Sequence, residues 1–201
     1  SSVSKSGKVT CLAQWGGKHM DWARSIARDA IGNVFVSGRE TDADGVKYYG
    51  ILQSYSRTGT LRWSKRLGLN TGTRGVDTDR FGNVVVFWAS GLKPSVSSFD
   101  SNGRENWSTD IPGETPQNLT VDSSNGRVTV SSLDRKGGGH QLIVTQLDHK
   151  GRVRWKNRWQ LGTRVAGRGM DHDNRGNCIV AGISYNDNFS FVRKYGPKGK
   201  L

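Results

Sequence analysis

Three arginines and a glutamine share one place in a recurring pattern. Arg24, Arg74, Gln117 and Arg168 each stand five residues before an aspartate, at Asp29, Asp79, Asp122 and Asp173. Guanidinium groups that converge from equivalent places can grip one carboxylate, sulfate or phosphate through forked hydrogen bonds. The neighbouring segments add His19, Trp22, Lys93, Arg135 and Arg164, which supply further cations, an imidazole and an aromatic face. The same spacing also admits a structural role, because Asp77 and Asp171 lie on the opposite strand face and can pair with arginines of adjacent repeats. From the sequence both readings stay open.

Other chemistry is sparse. His19, His140, His149 and His172 fall in different turns and strands, with no recurring serine or acidic partner. No spacing fits a zinc site or a phosphate loop. Asp77 with Asp79, and Asp171 with Asp173, resemble the opening of a calcium loop, but such a loop needs more oxygen ligands and a closing glutamate. No catalytic, metal or cofactor residue is therefore assigned. The excess of basic residues is the stronger signal: 30 Lys+Arg against 17 Asp+Glu give a formal charge of +13. That charge favours an anionic polymer, glycan or nucleic acid, or an acidic protein surface. Arg152, Arg154, Lys156 and Arg158 alternate with Trp155 and Trp159, putting the charges on one strand face. Such a strand is either a rim for anions or an edge guarded by charge against unwanted pairing. No apolar run approaches the roughly 20 residues of a membrane span, and no signal peptide opens the chain.

Repeated elements must position these residues. A short apolar strand, a turn with Asp and Gly-Asn, and a second apolar strand recur around Asp29, Asp79 and Asp173, and less cleanly around Asp122. A second unit alternates with it: an aromatic residue or leucine, a turn ending in glycine, then tryptophan. It reads Tyr55, Gly59, Trp63; Phe99, Gly103, Trp107; and Leu147, Gly151, Trp155, and begins again at Tyr195 and Gly199. Each unit reads as a hairpin. Two hairpins per period of about 50 residues predict an all-β fold, a β-propeller of four four-stranded antiparallel blades. The blades are expected near 25–67, 75–111, 118–159 and 168–201 within one domain. Residues 8–15 form an extra strand that is expected to pair onto the last blade and close the ring; the alternative is part of a larger propeller, completed by a second chain or by further blades. On this placement Cys11 and Cys178 lie two strands apart, roughly 9–10 Å, too far for a disulfide.

The first unit, Ile-x-x-Asp-x-x-Gly-Asn-Val-x-Val around Asp29, together with Tyr55-x-x-x-Gly59-x-x-x-Trp63, resembles the bacterial SBBP propeller repeats. More weakly, the Gly-x-x-x-Trp element is similar to the tryptophan-docking repeats of quinoprotein-like propellers. The resemblance implies a propeller of a secreted or surface protein. The function expected is non-catalytic binding or scaffolding through a basic surface, with homo-oligomers or a larger assembly open to it. The alternative is a propeller enzyme, a lyase or quinoprotein-like.

Overall fold

The computed structural model describes residues 2–3, 9–10, 14–136, 139–160 and 164–201. The aspartate turns explain why the sheets form where they do. Asp29 Oδ1 accepts hydrogen bonds from the amides of Ile31 and Asn33, and its Oδ2 accepts one from Asn33 Nδ2 at 2.7 Å. Asp79 repeats this with Phe81 and Asn83, and Asp173 with Arg175 and Asn177. In the divergent copy Asp122 holds Ser124 and Asn125 instead. Each turn is thus closed by its own Asp–Asn pair, which uses the carboxylate that a calcium loop would need.

All described elements are strands. After the short pair β1 (Ser2–Val3) and β2 (Val9–Thr10), the first blade is β3 (Trp22–Arg28), β4 (Val34–Thr41), β5 (Tyr48–Tyr55) and β6 (Leu61–Leu69). The second is β7 (Thr71–Thr78), β8 (Val84–Ser90), β9 (Lys93–Phe99) and β10 (Glu105–Asp110). The third is β11 (Thr115–Asp122), β12 (Arg127–Lys136), β13 (Gly139–Leu147) and β14 (Val153–Gln160). The fourth has three strands, β15 (Val165–His172), β16 (Cys178–Ser184) and β17 (Phe189–Tyr195). Every sheet is an antiparallel meander in chain order. The inner strands adjoin in sequence, β3 with β7, β7 with β11 and β11 with β15. This is the radial stacking of a propeller.

Apolar residues seal each gap between blades. Phe35 and Leu52 of the first blade meet Val76, Val84, Val86 and Phe99 of the second. Val85, Phe87 and Val96 meet Val121, Val128, Val130 and Leu147 across the next gap. Leu142 and Val144 meet Cys178, Val180 and Tyr195 across the last. Tryptophans of the outer strands bridge the same gaps. Trp63 Nε1 donates to Ser101 O at 2.9 Å, and Trp107 Nε1 donates to His149 O at 3.0 Å. Below each indole sits the glycine of the next blade's turn. A Cβ on Gly103 would come within 2.9 Å of Trp63, and one on Gly199 within 2.7 Å of Trp155. Glycine is required there twice over, since both also have positive φ, 81° and 78°.

Two expectations change. Among the described residues the fourth blade has three strands rather than four, and closure by residues 8–15 is not shown. Val9–Thr10 pairs instead with Ser2–Val3. Trp15 packs on Tyr55 of the first blade, with ring centroids 6.3 Å apart. The β1–β2 hairpin matches the outer hairpin of a blade at one pair, Val3 with Val9 as Tyr55 with Leu61 and Leu147 with Val153, but it lacks the bulge that follows in the blades, since Ser2 pairs directly with Thr10. Lys8, Cys11, Leu12 and Ala13 lie outside the described residues. Cys178 is a free, buried thiol, its pKa pushed up to about 12 by burial.

Candidate anion site at the inner strands

The shared place of Arg24, Arg74, Gln117 and Arg168 is a β-bulge in every blade. Ala23 pairs with Gly38 and Ser25 with Ser37, so Arg24 is left without a partner across the ladder. Arg74 is skipped between Thr73 and Gly75, Gln117 between Pro116 and Asn118, and Arg168 between Gly167 and Gly169. A bulge frees one residue from the period-two alternation and re-aims its side chain. Here it turns a polar residue out of each innermost strand while the rest of that strand keeps its pairing.

The first two bulges open into one cavity of about 300 Å³ between the first and second blades. Trp22, Arg24, Arg39, Tyr48 and Arg74 line it, and Glu114 is the single carboxylate in its wall. Burial, and then the charge of Arg24, lower the pKa of Arg74. Neither arginine has a hydrogen bond or ion pair among the described residues. Arg39 is held differently: its guanidinium carbon lies 4.6 Å from the Trp22 ring and 4.5 Å from the Tyr48 ring. Its Nε is buried and has no hydrogen-bond partner among the described residues. Two aromatic faces thus hold a planar cation that keeps an unused donor. Three guanidiniums against one carboxylate leave the cavity with an excess of positive charge and too few acceptors.

Arg168 is not part of this cavity. It bonds the Tyr185 hydroxyl, and Arg164 lies 5.1 Å above the same ring. Gln117 turns back onto Pro116 O at 3.2 Å. His19 is engaged with Ala43 O at 3.0 Å, beside the turn between β4 and β5. Of the nine residues singled out from sequence, Arg24, Arg74 and Trp22 come together, Arg164 and Arg168 form a second group, Gln117 and His19 stand apart, and Lys93 and Arg135 do not line the cavity. Arg39, Tyr48 and Tyr185 were missed. Arg39 has no counterpart at the matching position of the other blades, where Ala89, Leu133 and Ile183 stand, so repetition could not reveal it.

The proposed arginine bridges to Asp77 and Asp171 are not formed among the described residues. Asp77 Oδ2 instead accepts the Val121 amide of the next blade at 2.8 Å. Burial raises the Asp77 pKa above its ordinary value, against the hydrogen bonds that it accepts from the Val121 and Thr78 amides. At the next gap His172 plays the connecting part, with Nε2 3.0 Å from Thr129 Oγ1 and Nδ1 3.5 Å from Thr120 Oγ1. Burial lowers its pKa, partly offset by Asp122 and Asp171. These groups knit blades together and leave the arginine cavity unneutralised.

No protein-family model matches the sequence, and no curated protein does. Solved structures do resemble the fold. A Bacteroides caccae protein of unknown function matches with TM-score 0.57 and 14% identity, over 88% of this chain and 61% of that one. The β-propeller domain of the Trilobed protease from Pyrococcus furiosus, described as having an open velcro topology, matches with TM-score 0.59 and 10% identity, over 87% and 53%. Kuenenia stuttgartiensis hydrazine synthase matches with TM-score 0.54 and 12% identity, over 88% and 78%. The chain spans little more than half the length of the first two. At these identities the likeness is one of fold, and the chain is an all-β protein with the blade architecture of a propeller.

Proposed function

We propose that this chain is a non-catalytic binding or scaffolding propeller that takes an anionic group between its first two blades. The group is a carboxylate, sulfate or phosphate carried by an anionic glycan, a nucleic acid or an acidic protein surface. One observation carries the reading: Arg24 and Arg74 leave equivalent bulges for the same cavity, and among the described residues neither forms an ion pair with a carboxylate. Like charges held together are unfavourable, so a bound anion relieves a cost already present in the fold. Arg39, held between two rings, adds a third donor. An extracellular or surface setting accompanies the reading through the resemblance to SBBP repeats.

Calorimetric titration with sulfate, phosphate and short anionic oligosaccharides tests it, on the wild type and an Arg24→Gln, Arg74→Gln double variant. At least one anion should bind the variant tenfold or more weakly, a loss of about 1.4 kcal/mol. Binding should also fall as salt rises. Equal affinities in the two proteins would show that these arginines hold no ligand.

A further inference from the structure

The two ends of the arc of blades expose complementary halves of a contact that the chain makes three times internally. In the filled gaps, the residue three before each turn aspartate packs against the preceding blade: Val76 is 6% exposed, and Leu119 and Met170 join the apolar clusters. In the first blade that residue is Ile26, and it is 68% exposed. With Val34, Val36, Tyr55, Gly59 and Trp15 it lines an open, mostly apolar cavity of about 330 Å³. Gly59 holds the place that Gly103, Gly151 and Gly199 hold beneath their tryptophans, and has the same positive φ, 90°. This is the receiving face of a blade.

The other end shows the giving face. Leu52, fully buried against the second blade, stands three residues before Tyr55; the matching residue of the fourth blade, three before Tyr195, is Val192, which is 73% exposed. The far edge of β17 carries no fourth strand among the described residues. Exposed apolar surface of this size, next to an unpaired strand edge, marks a contact surface.

We infer that two copies of this chain associate head to tail, each laying its fourth blade on the first blade of the other, to close one ring. The occupant of each face is thus the other face, because Leu52 and Val76 already lie in one buried cluster within the chain, and Val192 and Ile26 are their counterparts. Among the described residues the inner strands β3 and β15 do not adjoin to the extent that their neighbours do. The strand bookkeeping also fits. Among the described residues β2 is paired only through two residues of β1, and Val3 with Val9 has the six-residue separation of the first pair in a blade's outer hairpin. In the dimer β2 of one copy becomes the missing fourth strand of the other's last blade, with Tyr195 in the place of Val3. A head-to-tail contact that closes after two copies gives a ring and leaves no exposed edge.

Sedimentation equilibrium with a charge exchange decides this. The wild type should weigh twice 22.1 kDa. Ile26→Glu and Val192→Lys, each at an exposed position, should fold with unchanged circular dichroism yet dissociate to monomers. Mixed in equal amounts they should recover the dimer, because one contact is then native and the other sets the introduced carboxylate against the introduced ammonium group. A wild type that remains monomeric overturns the inference, as do open-ended assemblies or variants that dimerise as the wild type does. A monomer in which Ile26 and Val192 are nonetheless protected would point to closure within one chain.

Discussion

A methyl group on Gly151 would stand 2.5 Å from Cε3 of Trp107, the outer-strand indole of the blade before it. The pair is a lock between two blades: the indole occupies the space where a side chain would be, and its Nε1 donates to the carbonyl of His149 in the same turn. Gly151→Ala should therefore destabilise the protein by about 1–3 kcal/mol, from the positive φ of 79° and the overlap together. Trp107→Ala should cost more, near the lower end of about 3–5 kcal/mol because the ring is only half-buried. Urea denaturation followed by circular dichroism measures both. If Gly151→Ala has the wild-type midpoint, the lock is not holding the blades.

Asp79→Ala should cost about 1–3 kcal/mol, since the Phe81 and Asn83 amides and Asn83 Nδ2 all lose their acceptor. Exchange of these two amides in deuterated buffer should speed up in the variant. No change would mean that the turn closes without its aspartate.

His172 gives a pH dependence with a definite sign. Burial holds its folded pKa below 6.5, so the fold favours the neutral ring. Asp122, Asp171 and Asp173 pull toward the charged form and Arg127 against it, with burial the largest effect. Its contribution is present above pH 6.5 and is lost as pH falls through the lowered folded value. The wild-type melting midpoint should fall between about pH 7 and pH 5, and His172→Gln should flatten that slope. A variant with an unchanged slope would place the titration elsewhere.

Arg74→Lys keeps the charge but not the planar fork, and should weaken anion binding severalfold. Tyr48→Ala should weaken it too, by releasing one of the two rings that hold Arg39. Arg168→Gln should matter little, because Tyr185 already engages that guanidinium. Titration with the best anion ranks the three variants; Arg168→Gln as the most damaging would move the site to the fourth blade.

The blades were legible in the sequence because the aspartate turns and the glycine–tryptophan units repeat, and each copy closes on its own local hydrogen bonds. The place of Arg24, Arg74, Gln117 and Arg168 was legible for the same reason, but its nature as a bulge was not. A bulge is a fact of pairing between strands, and spacing from Asp29 or Asp79 is the same with or without it. Arg39 was invisible because it occurs once and depends on Trp22 and Tyr48 meeting it from two strands. The N-terminal hairpin was not foreseen: residues 8–15 were expected to pair onto the last blade, whereas the pairing of Val3 with Val9 depends on a strand of two residues, too short to announce itself.

The bulges make four polar positions separable from the frame that carries them. Arg24, Arg74, Gln117 and Arg168 pair with nothing across their ladders, so exchanging them costs no ladder hydrogen bond and disturbs no apolar contact between blades. The four positions behave as interchangeable sockets on a fixed chassis. Gln117 already shows one socket fitted with a neutral amide. A library randomised at these positions alone should yield folded proteins at high frequency and with shifted ligand preferences, making this propeller a ready scaffold for selecting new binders.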